Sequence, residues 1–155
     1  MDEKQFLETW EIHNRINLYL LEAVEPAALA SLSASKGRTV GEQFAHIHNV
    51  RLMWLKSAAP DSLAGLLKVE KEQAVDKKLL RKCLAESGEA IKSLLGTSLR
   101  GGGRVKGFKP HAVAFLGYLV SHESHHRGQI ILSLKQAGKV LDKKILYGIW
   151  EWGVR

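Results

Sequence analysis

Three of the chain's seven histidines fall in one short run, Ser121-His122-Glu123-Ser124-His125-His126-Arg127-Gly128-Gln129. On a helix, residues four apart sit one turn apart on the same face. His122 and His126 therefore project together, with Cβ atoms about 6 Å apart. Two imidazoles so placed can reach one divalent ion, since ligand nitrogens lie about 2.0–2.1 Å from zinc. His125 points about 60° to the other side of His122, at 100° per residue. It competes for the role but cannot replace His126 without rotating the site. A pair is not a complete site, and a third ligand must come from another element.

The element that carries the pair reads as one helix from Pro110 to Ala137. It spans about 28 residues, or about 42 Å. Proline is allowed in a first turn and Gly138 supplies the stop. His111, Phe115, Tyr118, His122, His126, Gln129 and Ser133 form one stripe along it. His111 lies about 16 Å up the axis from His122, too far to share its ion. The pair sits among apolar residues, so it faces the bundle interior. A buried histidine needs a partner there, either a metal or a hydrogen-bonded cluster without one.

The other histidines with the right surroundings are His46 and His48. They lie on a helix predicted from Val40 to Ser57, opened by Thr39 with Glu42 three residues later, the pattern of a capping box. Two residues apart, they point to nearly opposite sides, and only one can join the pair. Both sides are apolar, so periodicity does not choose. A helix from Lys4 to about Val24, ended by Pro26, precedes this element. His13 and Asn14 within it read as surface or packing residues. A linker, Ala27 to Arg38, follows. Asp76 caps a third helix, Lys77 to about Leu95, in which Gly88 is a mild weakness. Asp142 to Arg155 reads as a short aromatic-rich helix packed on the bundle or on a second subunit. No strand, repeat or second domain is visible, so residues 1–155 read as a single all-α domain.

Composition bounds the rest. The 155 residues suffice for a real core, and no apolar run approaches the roughly 20 needed to span a bilayer. The charged start, Met1-Asp2-Glu3-Lys4, has no secretory pattern, so the expected location is cytoplasmic. One cysteine, Cys83, excludes an intramolecular disulfide and reads as a helix residue, not a nucleophile. The net charge of +7 favours acidic small molecules, but the basic residues are scattered and no nucleic-acid motif is present. The loop Arg100 to Lys109 holds four glycines and four cations. It lacks the Gly-Lys-Ser/Thr ending of a phosphate loop and reads as a mobile connection. Its cations Arg100, Arg104, Lys106 and Lys109 could nevertheless hold an anionic group near the mouth of a site.

The run His122-Glu123-Ser124-His125-His126-Arg127-Gly128-Gln129-Ile130 resembles the His-Glu-x-His-His-Arg-Gly-Gln signature of the DinB family, the DNA-damage-inducible four-helix proteins. Val40-Gly41-Glu42-Gln43-Phe44-Ala45-His46-Ile47 is similar to that family's helix-two motif, and Tyr147 to Trp152 is also similar. The resemblance implies a metal triad of His46, His122 and His126, and so selects His46 over His48. It implies an up-down-down-up four-helix bundle with a short C-terminal helix, homodimerisation, and a divalent metal such as nickel or zinc. Related branches are transferases and isomerases that use the low-molecular-weight thiols bacillithiol, mycothiol or glutathione. The family name reflects induction after DNA damage, so no specific nucleic-acid partner is implied.

Three protein nitrogens leave a coordination position open, the arrangement of catalytic metal sites. The expected activity is metal-dependent activation of a thiol or of water for attack on a small electrophile. The alternatives are a non-catalytic metal-binding or interaction protein of the same fold, or a metal-dependent hydrolase. No general base is evident, and the catalytic residues are unassigned. Glu42, Gln43 and Gln129 stand near the ligands and are candidates to orient them. His122-Glu123-x-x-His126 also satisfies the spacing of a zinc-protease motif. Glu123 points about 100° from His122, however, which argues against peptidase chemistry.

Overall fold

Thr39 and Glu42 cap each other as their spacing predicts. Thr39 Oγ accepts from the Glu42 amide at 3.2 Å, and Glu42 Oε2 accepts from the Thr39 amide at 2.6 Å. In the computed structural model, which describes residues 2–155, this box opens α2, Val40–Ala58. The first helix, α1, is Glu3–Ala23, capped by Asp2; Pro26 starts a short 3₁₀ turn, Pro26–Ala30, inside the expected linker. Asp76 caps α3, Lys77–Arg100, by accepting from the Leu79 amide at 3.0 Å. The fourth helix, α4, is Ala112–Gln136. It starts later than Pro110 because His111 is its cap, Nδ1 accepting from the Ala114 amide at 3.2 Å. A short α5, Lys143–Gly148, follows. Among the described residues there is no strand, only an isolated bridge between Arg104 and His111.

The third helix continues past Leu95 to Arg100. Gly96, Thr97 and Ser98 are poor helix formers, which is why the pattern seems to stop early. Tertiary packing overrides propensity there, since Gly96 and Ser98 are buried. Gly88, read as a weakness, is a contact: a Cβ would overlap the Asn14 side chain, and the Gly88 carbonyl accepts from Trp10 Nε1 at 2.8 Å.

Two apolar clusters show how the helices run. One joins Ile16, Leu20 and Leu21 of α1, Val40 and Phe44 of α2, Leu80 and Leu84 of α3, and Ile130 and Leu134 of α4. The other joins Phe6 and Trp10, Leu55, Ile91 and Leu95, and Phe115 and Leu119. The first collects the C-terminal halves of α1 and α4 with the N-terminal halves of α2 and α3. The chain is therefore an up-down-down-up four-helix bundle. Helix α3 packs on both α1 and α2, and α4 packs on both α2 and α1, so α1 faces α2 across the diagonal.

Between the clusters each helix turns polar at the same level: His13, Asn14 and Asn17 on α1, Arg51 on α2, Ser87 on α3, Glu123 and Arg127 on α4, all buried. Arg51 clamps Glu123 with two bonds, Nε to Oε1 at 2.7 Å and Nη2 to Oε2 at 2.8 Å. Asn17 Nδ2 and His13 Nε2 also donate to Oε2, at 2.6 and 2.8 Å. Arg51 Nη1 donates to the Leu84 carbonyl at 2.9 Å, and Arg127 Nη1 to Asn17 Oδ1 at 2.6 Å. Charges taken from water need this degree of pairing. His13 and Asn14 are thus interior groups; neither lies on the surface.

The C-terminal segment packs on the bundle through Ile149 and the half-buried Trp152, while Tyr147 and Trp150 are exposed. The Arg155 guanidinium lies 3.8 Å from the centre of the Tyr19 ring. Among the described residues no helix is long and apolar enough to cross a membrane.

Candidate metal centre

The polar layer fixes the roll of α4. Glu123 is drawn inward to Arg51, which leaves His122 and His126, both on one side of it around the helix, facing α2. His46 comes from the second turn of α2, aligned by the capping box. Ligand nitrogens of His46, His122 and His126 all lie within 4.8 Å of one another. The rings meet edge to face, with centroids 4.5 Å apart for His46 and His126 and 4.6 Å for His122 and His126.

His126 Nε2 and His122 Nε2 lie 3.1 Å apart. Two ligands 2.0–2.1 Å from one ion sit about 3 Å apart. The same pair can instead share one proton as a hydrogen bond. Gln43, buried in the first turn of α2, decides the state of His126. Its Oε1 accepts from His126 Nδ1 at 2.7 Å, so the proton sits on Nδ1 and the Nε2 lone pair faces the cluster. His122 Nδ1 is buried with no hydrogen-bond partner. The His122 ring stacks on Tyr118, with centroids 6.0 Å apart.

All three imidazoles are held neutral. Burial, aided by Arg38 and His122, lowers His46 to about 4. Burial and the neighbouring His122 and His46 lower His126 to about 3. His122 is lowered by burial, partly offset by the nearby Glu123 charge. Neutral imidazoles keep the lone pairs a metal needs, so the donor set fits a divalent cation with nitrogen preference. His48 is elsewhere: its Nε2 donates to the Leu67 carbonyl at 2.9 Å and pins the loop before α3. His125 is exposed.

The rest of the sequence-level candidates separate cleanly. Gln43 orients His126. Glu42 is spent in the helix cap, with Lys71 3.7 Å from its other oxygen. Burial alone would push the Glu123 carboxyl up, but the Arg51 guanidinium, with His13, holds it far below the usual carboxylate range. Glu123 is therefore a saturated anion, unavailable as a base beside the histidines. Of the loop cations, Arg100 pairs with Glu3, and Arg104 donates to the Lys109 carbonyl at 3.1 Å. The loop joins α4 at the end remote from His126. The cations that border the histidine cluster are Arg38, Lys68 and Lys71, which share a groove with His46. Sequence reading passed over these three because they lie in connections with no periodicity.

The model described as DinB family matches residues 104–147. That match supports assignment of the chain to the DinB family. The matched stretch covers the later part of the loop before α4, all of α4 with His122 and His126, and most of α5. His46, on the DinB-like bundle's second helix, lies outside it. No curated protein and no solved structure matches the chain.

Proposed function

We propose that this DinB-family chain binds one divalent metal ion through His46, His122 and His126 and uses it as an enzyme acting on a small electrophile. The observation that carries the reading is the convergence of three neutral imidazoles within 4.8 Å, drawn from two helices and facing one point. Nickel or zinc fits the nitrogen-only donor set. When bound, such an ion would lower the pKa of a thiol or a water in its open position. The chain's own residues hold the ligand geometry: Gln43 keeps the proton on His126 Nδ1, and the capping box sets the start of α2. The carboxylates nearest the cluster, Glu42 and Glu123, are both engaged and not free to act as a general base. That favours a low-molecular-weight thiol over water, because a thiol ionises more readily without help.

The reading of transferase over hydrolase rests on the lack of a free carboxylate base there. A panel of thiols, with and without small electrophiles, tests it on wild type and His126→Ala. Thiol-dependent turnover in the metal-loaded wild type and its loss in the variant are expected. Equal background rates in both, with metal present in wild type, would favour a binding protein of the same fold. Homodimerisation is part of the proposal, supported by the exposed Tyr147 and Trp150 beside α5; sedimentation at micromolar concentration tests it.

A further inference from the structure

We infer that the groove beside His46 is an anion-binding subsite in which Arg38 holds the carboxylate or phosphoryl group of the small molecule acted on at the histidines. The inference rests on the metal-dependent reading above and adds a substrate class to it. The groove has a volume of about 270 Å³ and is lined by Arg38, Glu42, His46, Asn49, Lys68 and Lys71, among others. It is small for a ligand pocket and suits the charged end of a metabolite.

The charges in the groove do not cancel. Lys68 pairs with Glu70 at 3.1 Å, and Lys71 lies 3.7 Å from Glu42. Glu42 also accepts from the Thr39 amide, so both acids are engaged. Arg38 has no carboxylate partner among the described residues. A guanidinium pairs with a carboxylate or phosphate through two parallel N–H···O bonds, which fixes orientation as well as position.

The backbone delivers this side chain to a defined place. Lys36 and Gly37 have φ of 65° and 94°, a left-handed turn, and Thr39 is locked in the capping box. Arg38 stands between these two constraints with its side chain exposed. Asn49 supports the opposite wall, donating to the Val69 carbonyl at 2.9 Å and accepting from the Val69 amide at 3.0 Å. Arg38 and His46 line the same groove. An anion on Arg38 and a reacting centre at the histidines therefore fit within one small molecule.

The test is titration of inorganic phosphate and of malonate into chloride-free protein, followed by calorimetry and by amide shifts. It is run first without metal, so that direct anion–metal contact plays no part, and then on nickel-loaded protein. Wild type should bind at least one of the two anions, with shifts at Arg38, Asn49 and Lys71. Arg38→Gln should weaken that binding at least tenfold, Arg38→Lys less, and Lys109→Gln not at all. Thermal melting and nickel content of Arg38→Gln should match wild type, which excludes misfolding. A phosphate or malonate preference supports the subsite and names the group. Equal affinities in wild type and Arg38→Gln, or loss of binding in Lys109→Gln, would overturn it. Anion binding at Arg38 in a protein that takes up no metal would keep the subsite and remove the metal reading; nickel uptake with no effect of Arg38→Gln would do the reverse.

Discussion

At the residue scale, His126 is controlled by a neighbour that is not itself a ligand. Gln43 Oε1 accepts the Nδ1 proton at 2.7 Å, so the ring presents Nε2 to the cluster. Gln43→Leu removes that acceptor and frees the ring to take the other tautomer. Metal affinity should fall by about 10–100-fold, the usual cost of losing such a support, as read by competition with a chromophoric chelator. An unchanged affinity would mean that packing alone orients the ring. The pairing of His122 with His126 was legible from their spacing, because helical geometry dictates it. The choice of His46 over His48 was not, because both sides of α2 are apolar; only the likeness to a family motif selected it. The Arg51–Glu123 clamp was also hidden. Its members lie far apart in sequence, and each reads singly as a charge on a helix face.

At the element scale, bundle geometry depends on close approaches that only glycine permits. A Cβ at Gly41 would overlap the Ala74 carbonyl, a backbone group that cannot turn aside. Gly117 on α4 has open space where a Cβ would go. In an unconstrained helix, glycine to alanine stabilises by about 0.5–1 kcal/mol. Gly117→Ala should do so, whereas Gly41→Ala should destabilise by about 1–3 kcal/mol through overpacking. Chemical denaturation of the two variants checks the pair of signs; stabilisation by both would show that the α2 terminus is not tightly seated. The capping signals at Thr39 and Asp76 located two helix starts correctly, since they are local hydrogen-bond chemistry. The end of α3 and the start of α4 were displaced, because burial and the His111 side chain decide them.

At the scale of the whole molecule, acid should act on the metal-free bundle through its buried histidines. His13, His46, His48, His122 and His126 all have proton affinities lowered by burial. The native state then binds fewer protons than the unfolded chain once pH falls below the unfolded value of 6.5. Stability is full above that pH and is lost as pH falls toward about 4, the folded value for His46. Glu123, held charged by Arg51, adds a further loss as pH drops below the ordinary carboxylate value of 4.5. The Tm of chelator-treated protein should be flat from pH 8 to 7 and then decline steadily to pH 5. A Tm that rises over the lower interval would contradict the neutral state assigned to these rings. The up-down-down-up order was expected only through resemblance; composition and periodicity alone gave the helices without their directions.

The metal itself is the centre of the account, and elemental analysis of purified protein reconstituted with nickel or zinc tests it most directly. Wild type should retain close to one divalent ion per chain after desalting. His46→Ala and His126→Ala should retain little, and His48→Ala should match wild type, because His48 is engaged with the Leu67 carbonyl. A wild type without metal after reconstitution, or equal losses in His46→Ala and His48→Ala, would contradict it.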